Sequence, residues 1–204
     1  MPPDLSMEST YAGIIAGVDE AGCGPWAGPV VAAAVILDLK NPPDGIDDSK
    51  KLLPEKREAL FALISASSHI SVGISSVAEI DSFNILGATK LAMRRAVEGL
   101  PVAPDVALVD GNRPPDLTCT TQMIIGGDAL SLSIAAASII AKVTRDRIMR
   151  ALAAEHPHYG WESNAGYGTK KHQDGLAKFG VTPHHRRSFR PIRELLEAME
   201  LVAV

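Results

Sequence analysis

The tightest constraint on the fold lies between residues 14 and 37. A short apolar run, Ile14 to Val18, precedes Asp19-Glu20, and a second apolar run covers Val30 to Leu37. The 11 residues between the runs hold three glycines and two prolines. Glycine and proline at that density break helices and mark turns. The segment therefore predicts two strands in a hairpin with a long, functional loop. The second run is apolar without alternation, which suits a strand buried on both faces. Two adjacent carboxylates at the end of the first strand then need a reason.

Further along, Pro54 to Leu60 opens a helix, with proline at an early position where its missing N–H does no harm. Ile70 to Val77 predicts a third strand, and Asn84 to Leu100 a helix ended by Gly99 and Pro101. Asp105 to Val109 and Thr121 to Ile125 predict two more strands, ending at Asp110-Gly111 and Gly126-Gly127-Asp128. Ser131 to Glu155 predicts a long helix ended by His156-Pro157, and shorter helices are expected near Thr169–Phe179 and from Pro191 to about Leu201. Strands interleaved with helices, followed by a mostly helical last third, argue for an α/β fold with a helical C-terminal appendage. The expected division is a flexible tail over 1–12, an α/β domain over 13–155 and a helical C-terminal subdomain over 156–204.

The 204 residues suit one domain, or one with a subdomain, and 46% apolar residues supply a core. No apolar run approaches the roughly 20 residues that a membrane span needs. Residues 1–10 lack a basic region and a following apolar segment, so no signal peptide and a cytoplasmic location are expected. Two cysteines, Cys23 and Cys119, are too few for a disulfide framework or a four-ligand zinc site. Charge is uneven: residues 1–141 hold 9 Lys+Arg against 17 Asp+Glu, and residues 142–204 hold 11 against 7. A basic C-terminal segment on an acidic body suggests a polyanionic partner, although a solvated surface gives the same pattern.

Asp19-Glu20, Asp110 and Asp128 each follow a predicted strand, and in α/β sheets sites form at the carboxyl ends of strands. Any one of these acids alone could be a turn residue or a helix cap. Gathered together they would repel one another and destabilise the fold unless divalent cations sat among them. Hard oxygen donors suit Mg²⁺ or Mn²⁺, and two such ions can stabilise both the attacking and the leaving oxygen in phosphoryl transfer.

Gly22-Cys23-Gly24 with Gly28 could also be read as a nucleotide-binding glycine loop. That reading lacks its context, because Pro25 and Pro29 intervene and a strand rather than a helix follows. Glycines there permit positive φ and close approach of another backbone, which a sugar-phosphate chain could provide. Asp48-Ser49-Lys50-Lys51 precedes a helix N-terminus, a natural phosphate position. Ser138, Lys142 and Arg145 share one narrow face of the long, otherwise apolar helix and could aim at a site. Tyr167, between two glycines, could stack on a sugar or base.

Together these residues resemble bacterial ribonuclease HII, the type 2 ribonuclease H. GVDEAGCGPWAGPVVAAAVIL, DDSKKL, LVDGN, GGD, AAASIIAKVTRDR, NAGYGTKKH and HHRRSF occur in the family's order, over about residues 14–193. The resemblance implies a ribonuclease H-like fold: a central mixed five-stranded sheet flanked by helices, with a helical C-terminal subdomain. It implies endonucleolytic cleavage of RNA in RNA–DNA hybrids and nicking 5′ to single ribonucleotides in duplex DNA, leaving 3′-hydroxyl and 5′-phosphate ends. The implied cofactors are two Mn²⁺ or Mg²⁺ ions; nothing in the sequence demands a dimer or a membrane, and a monomer is expected.

On this resemblance the catalytic and metal-binding acids are Asp19, Glu20, Asp110 and Asp128. Asp146 is another acid near the same segment, but its helical phase places it at the edge of the polar stripe, which favours Asp128. Gly22, Cys23 and Gly24 would present main-chain groups to the ribose 2′-hydroxyl, the group that distinguishes RNA from DNA. Tyr167 would work beside them, and Ser49, Lys50 and Lys142 match backbone-contacting positions. In one respect the chain departs from the family: Cys23 stands where Arg is usual. Main-chain recognition survives that change, whereas a charge-assisted phosphate contact does not, so weaker substrate binding is expected.

Overall fold

The computed structural model describes residues 2–202. Five strands, β1 (Ile15–Ala21), β2 (Val30–Ile36), β3 (His69–Ser75), β4 (Val106–Asp110) and β5 (Thr120–Ile124), form one sheet in the order β3-β2-β1-β4-β5. β2 pairs antiparallel with both β1 and β3, while β1, β4 and β5 run parallel. This is the mixed sheet flanked by helices that the resemblance implies.

Because β2 is central and covered on both sides, its residues are apolar without alternation. Val30, Ala32 and Ala34 meet Ala88, Ala92 and Ala96 of α2 (Val77–Glu98). Ala33 and Val35 face α1 (Pro54–Ser67) and α3 (Leu132–Glu155) through Ile64, Ala136 and Ile140. α3 lies against β1 at Gly17, where any Cβ would run into the Ser133 main chain. A second core gathers Ala27, Met149, Tyr159, Trp161, Leu176 and Ile192, joining the far end of α3 to α4 (Trp161–Asn164), α5 (Lys170–Phe179) and α6 (Arg190–Val202). Among the described residues no helix is long and apolar enough to cross a membrane.

Three segments differ from expectation. β1 does not stop at Val18: Asp19 and Glu20 lie inside it, paired with Ala33 and Ala32. α2 begins at Val77, behind a Ser76/Glu79 capping box, rather than at Asn84. Asn84 breaks the helix at φ 58°, and its side chain accepts the N–H groups of Leu86 and Gly87, so it caps the second segment. The N-terminal tail, expected to fray, is anchored. Glu8 is buried, and its carboxylate accepts from Ser131 Oγ (2.6 Å) and Ser133 N–H (2.8 Å), a negative charge at the N-terminus of α3.

Candidate active site

The parallel ladder between β1 and β4 ends at the pair Val18 and Val109. The next residue on each strand is an aspartate. Beyond that point β1 continues with β2 as far as Ala21–Val31, and β4 continues with β5 through Asp110–Ile124. The two strands thus part company at Asp19 and Asp110, at the carboxyl ends where α/β sheets place their sites. Asp128 joins them from a 3₁₀ turn, Gly127–Ala129, just after β5. Gly127 N–H donates to Asp110 Oδ1 at 2.7 Å and fixes that carboxylate against the turn.

Successive strand residues point to opposite faces, and the two acids of β1 follow that rule. Asp19 is buried on the α3 side, near the Ser138 hydroxyl, which bonds to Ser49 at 2.8 Å. Glu20 points to the α2 side, where the Cys23 thiol lies 3.5 Å from Oε1 and 3.3 Å from Thr89 Oγ1. Lys50 Nζ donates to Asp128 Oδ2 at 2.8 Å from a largely exposed side chain.

Burial pushes the Asp19 carboxyl well above the usual carboxylate range, and the charges of Glu20 and Asp110 push it further. Burial likewise raises Glu20 and Asp110; the Cys23 thiol partly offsets the first and the Gly127 N–H the second. Three carboxyls that resist carrying charge, with the Asp128 side chain beside Asp110, offer the hard oxygen donors that fit a divalent cation such as Mg²⁺ or Mn²⁺. Oxygens on one such ion, at about 2.1 Å from it, lie within roughly 4.2 Å of one another. Among the described residues, the one trio of ligating atoms within 4.8 Å of each other is elsewhere, at Glu155, His156 and His184. As placed, the four carboxylates do not close around a single ion.

Two buried arginines hold the glycine loop. Arg186 donates to the carbonyls of Gly28 (2.9 Å), Cys23 (3.0 Å), Gly22 (2.6 Å) and Pro29 (3.3 Å). Arg145 donates to the carbonyls of Pro29 (3.0 Å), Ala27 (3.1 Å) and Ala165 (3.0 Å). Gly22 sits at φ 101°, and a Cβ there would strike the Arg145 side chain. Burial lowers both guanidiniums, and Arg186, at about 9, remains charged at neutral pH. Burial, and then the Glu20 charge, push the Cys23 thiol up to about 12. The thiol is therefore a protonated donor turned inward toward Glu20.

The exposed ring of Tyr167 stands beside Gly24. Its main-chain carbonyl is held by His172 Nδ1 at 2.9 Å, and His172 Nε2 meets Trp161 Nε1 (3.2 Å) and His185 Nε2 (3.0 Å). These contacts make Nδ1 the protonated nitrogen of His172. Ser49 is buried with its hydroxyl committed to Ser138, so any contact it makes outward is through the main chain. Lys142 pairs with Asp146 at 2.7 Å on α3, and neither side chain bonds to the four carboxylates. The basic C-terminal segment is not the open cationic surface that its composition suggests. Lys170, Lys171, Arg190 and Arg193 pair with Asp174, Glu162, Glu194 and Glu197, while Arg186, His172 and His185 are buried.

Arg186 and Thr89 are the site residues that sequence reasoning did not single out. Arg186 lies inside the HHRRSF motif, but nothing in its spacing marks it as buried.

A family model described as Ribonuclease HII matches residues 16–192. A Ribonuclease HII from Jannaschia sp. (strain CCS1) is 55% identical over 197 residues, covering 96% of this chain and 99% of that protein. Another from Granulibacter bethesdensis is 56% identical over 208 residues, covering 99% and 94%. Among solved structures, the ribonuclease H2 of Pyrococcus horikoshii OT3 superposes with a TM-score of 0.77 at 28% identity, covering 91% of this chain and 98% of that one.

Proposed function

This chain belongs to the ribonuclease HII family, and from that membership we propose that it cleaves the RNA strand of RNA–DNA hybrids and nicks 5′ to single ribonucleotides in duplex DNA. The ends left are 3′-hydroxyl and 5′-phosphate. The observation that carries the reading is the parting of β1 and β4 at Asp19 and Asp110, beside a glycine loop held rigid by Arg186.

Asp19, Glu20, Asp110 and Asp128 would hold two Mg²⁺ or Mn²⁺ ions. When bound, such ions supply the Lewis acidity that phosphodiester hydrolysis needs. The Glu20 N–H, which bonds to Asp19 Oδ1 at 2.7 Å, orients Asp19. Gly127 orients Asp110. Gly22, Cys23 and Gly24 would offer main-chain groups to the ribose 2′-hydroxyl, in a direction set by the Arg186 fork. The Tyr167 ring would pack on the neighbouring deoxyribose, and Lys50 and Lys142 would face backbone phosphates, the first through main chain shared with Ser49.

The test is a labelled DNA duplex carrying one ribonucleotide, incubated with Mg²⁺, Mn²⁺ or EDTA beside an all-DNA control. A metal-dependent nick 5′ to the ribonucleotide, absent from the control and from Asp110→Asn, is expected, with hybrid binding by Asp110→Asn retained. Cleavage of branched all-DNA substrates without need of ribose would instead identify a different nuclease on the same fold.

A further inference from the structure

A second group of metal-ligand side chains lies outside the carboxylate site. α3 ends at Glu155, His156 caps it, and His184 approaches from the segment between α5 and α6. One ligating atom from each lies within 4.8 Å of the other two. The two imidazole rings sit edge to face with centroids 5.2 Å apart. From these positions we propose that Glu155, His156 and His184 form a binding site for a transition-metal dication of the Zn²⁺ class, distinct from the carboxylate site.

Two imidazoles and one carboxylate are a donor set for Zn²⁺, Ni²⁺, Co²⁺ or Cu²⁺, and a poor one for Mg²⁺. Three protein ligands leave a position for water, the pattern of an open zinc site. The position also favours a cation. The last turn of α3 carries no basic side chain, so the negative end of a 24-residue helix is uncompensated there. Glu155 is exposed and has no ion-pair partner among the described residues. Both rings are held in place from behind: His156 lies against Trp161 and Tyr159 at 5.6 and 6.4 Å, and His184 against Trp161 at 6.3 Å.

The site would do more than bind. The main-chain carbonyl of His184 accepts from Gly28 N–H at 2.9 Å, and Arg186, two residues on, holds the carbonyls of Gly22 and Cys23. A metal joining His184 to the end of α3 would therefore staple the segment that supports the glycine loop. Trp161 is buried beside both rings and is a built-in reporter, because Ni²⁺, Co²⁺ or Cu²⁺ bound there quenches indole fluorescence.

The experiment titrates EDTA-stripped protein with Zn²⁺ by calorimetry, and with Ni²⁺ by tryptophan fluorescence, in excess Mg²⁺ to occupy the carboxylates. Expected are one Zn²⁺ per chain with micromolar or tighter affinity, quenching by Ni²⁺, and a Tm increase of about 5–10 °C at a hundredfold excess over Kd. Glu155→Gln, an exposed change, and His184→Gln should each weaken binding at least tenfold, while Asp110→Asn leaves it intact. Binding no tighter than millimolar, or binding lost in Asp110→Asn but kept in His184→Gln, would overturn the proposal. Glu155→Gln keeps the test valid should His184→Gln fold poorly.

Discussion

Replacing Arg186 by lysine tests whether the guanidinium fork, rather than its charge, shapes the glycine loop. The fork makes four bonds to carbonyls of residues 22, 23, 28 and 29, all from one planar group. A lysine keeps the buried charge but gathers its donors on one nitrogen, and it cannot span acceptors spread around a plane. Two of the four bonds should be lost. At about 1.5 kcal/mol for a bond to a charged group, the low end of the usual range, the variant loses about 3 kcal/mol. In a chain of this size that is a Tm decrease of roughly 6–12 °C. The assay is thermal melting followed by circular dichroism, with cleavage of a single-ribonucleotide duplex measured well below the melt. There kcat/KM should fall about tenfold or more, equivalent to about 1.4 kcal/mol in loop positioning. A variant melting within about 2 °C of the parent, with undiminished kcat/KM, would show that any buried cation suffices and would refute the argument.

Two other substitutions follow from the same geometry. Asp19→Asn should abolish cleavage yet raise the Tm of the metal-free protein by about 2–4 °C, on the order of 1 kcal/mol. The sign follows from linkage: a carboxyl whose folded pKa is raised binds protons more readily folded than unfolded. Its contribution to stability is therefore present at low pH and lost as pH rises through the folded value, so at neutral pH the ionised group opposes folding. Melting in EDTA from pH 5 to 8 should show a shallower decline with pH for Asp19→Asn than for the parent; parallel curves would contradict the assignment. Cys23→Arg should lower KM about two- to fivefold and steepen the salt dependence by about one ion, because it replaces an inward-facing thiol with a phosphate-binding cation. An unchanged KM and salt slope, measured by cleavage between 50 and 200 mM salt as about the useful range, would count against it.

Much of the sheet could be read from the chain because its signal is local. β2 is a run of Val and Ala that only a two-sided burial explains, and the Gly- and Pro-rich connection before it permits little but a loop. The strand boundary at Asp19 was not local. Asp19 and Glu20 stay extended because Ala33 and Ala32 pair with them across the ladder, and nothing near them in sequence announces that partner. The early start of α2 did have a local signal, Ser76 with Glu79 three residues on. It was masked by Asn84, whose left-handed backbone divides the helix and whose side chain caps the second half in its own right.

Charge was the least faithful guide, and for an identifiable reason. Composition counts cations without their partners. Lys170, Arg190 and Arg193 each have an acid four residues ahead, a spacing visible in the sequence and sufficient to predict pairing on a helix. Arg186 had no such neighbour and read as one more surface charge. Its partners are main-chain carbonyls some 160 positions away, and carbonyls leave no mark in a residue list. Asp128 and Asp146 show how the same residue type is placed differently by its local chain. Both acids lie close to the same segment, but only Asp128 precedes the helix, in a turn that Gly126 and Gly127 allow to fold back over the strand ends. There it meets Lys50 and faces Asp110. Asp146 lies fourteen residues into α3, counting from Leu132, where the helix has carried it away from the sheet end and Lys142 neutralises it one turn earlier. A carboxylate reaches the others only if the chain has not yet committed to the helix, and that commitment is written in the glycines.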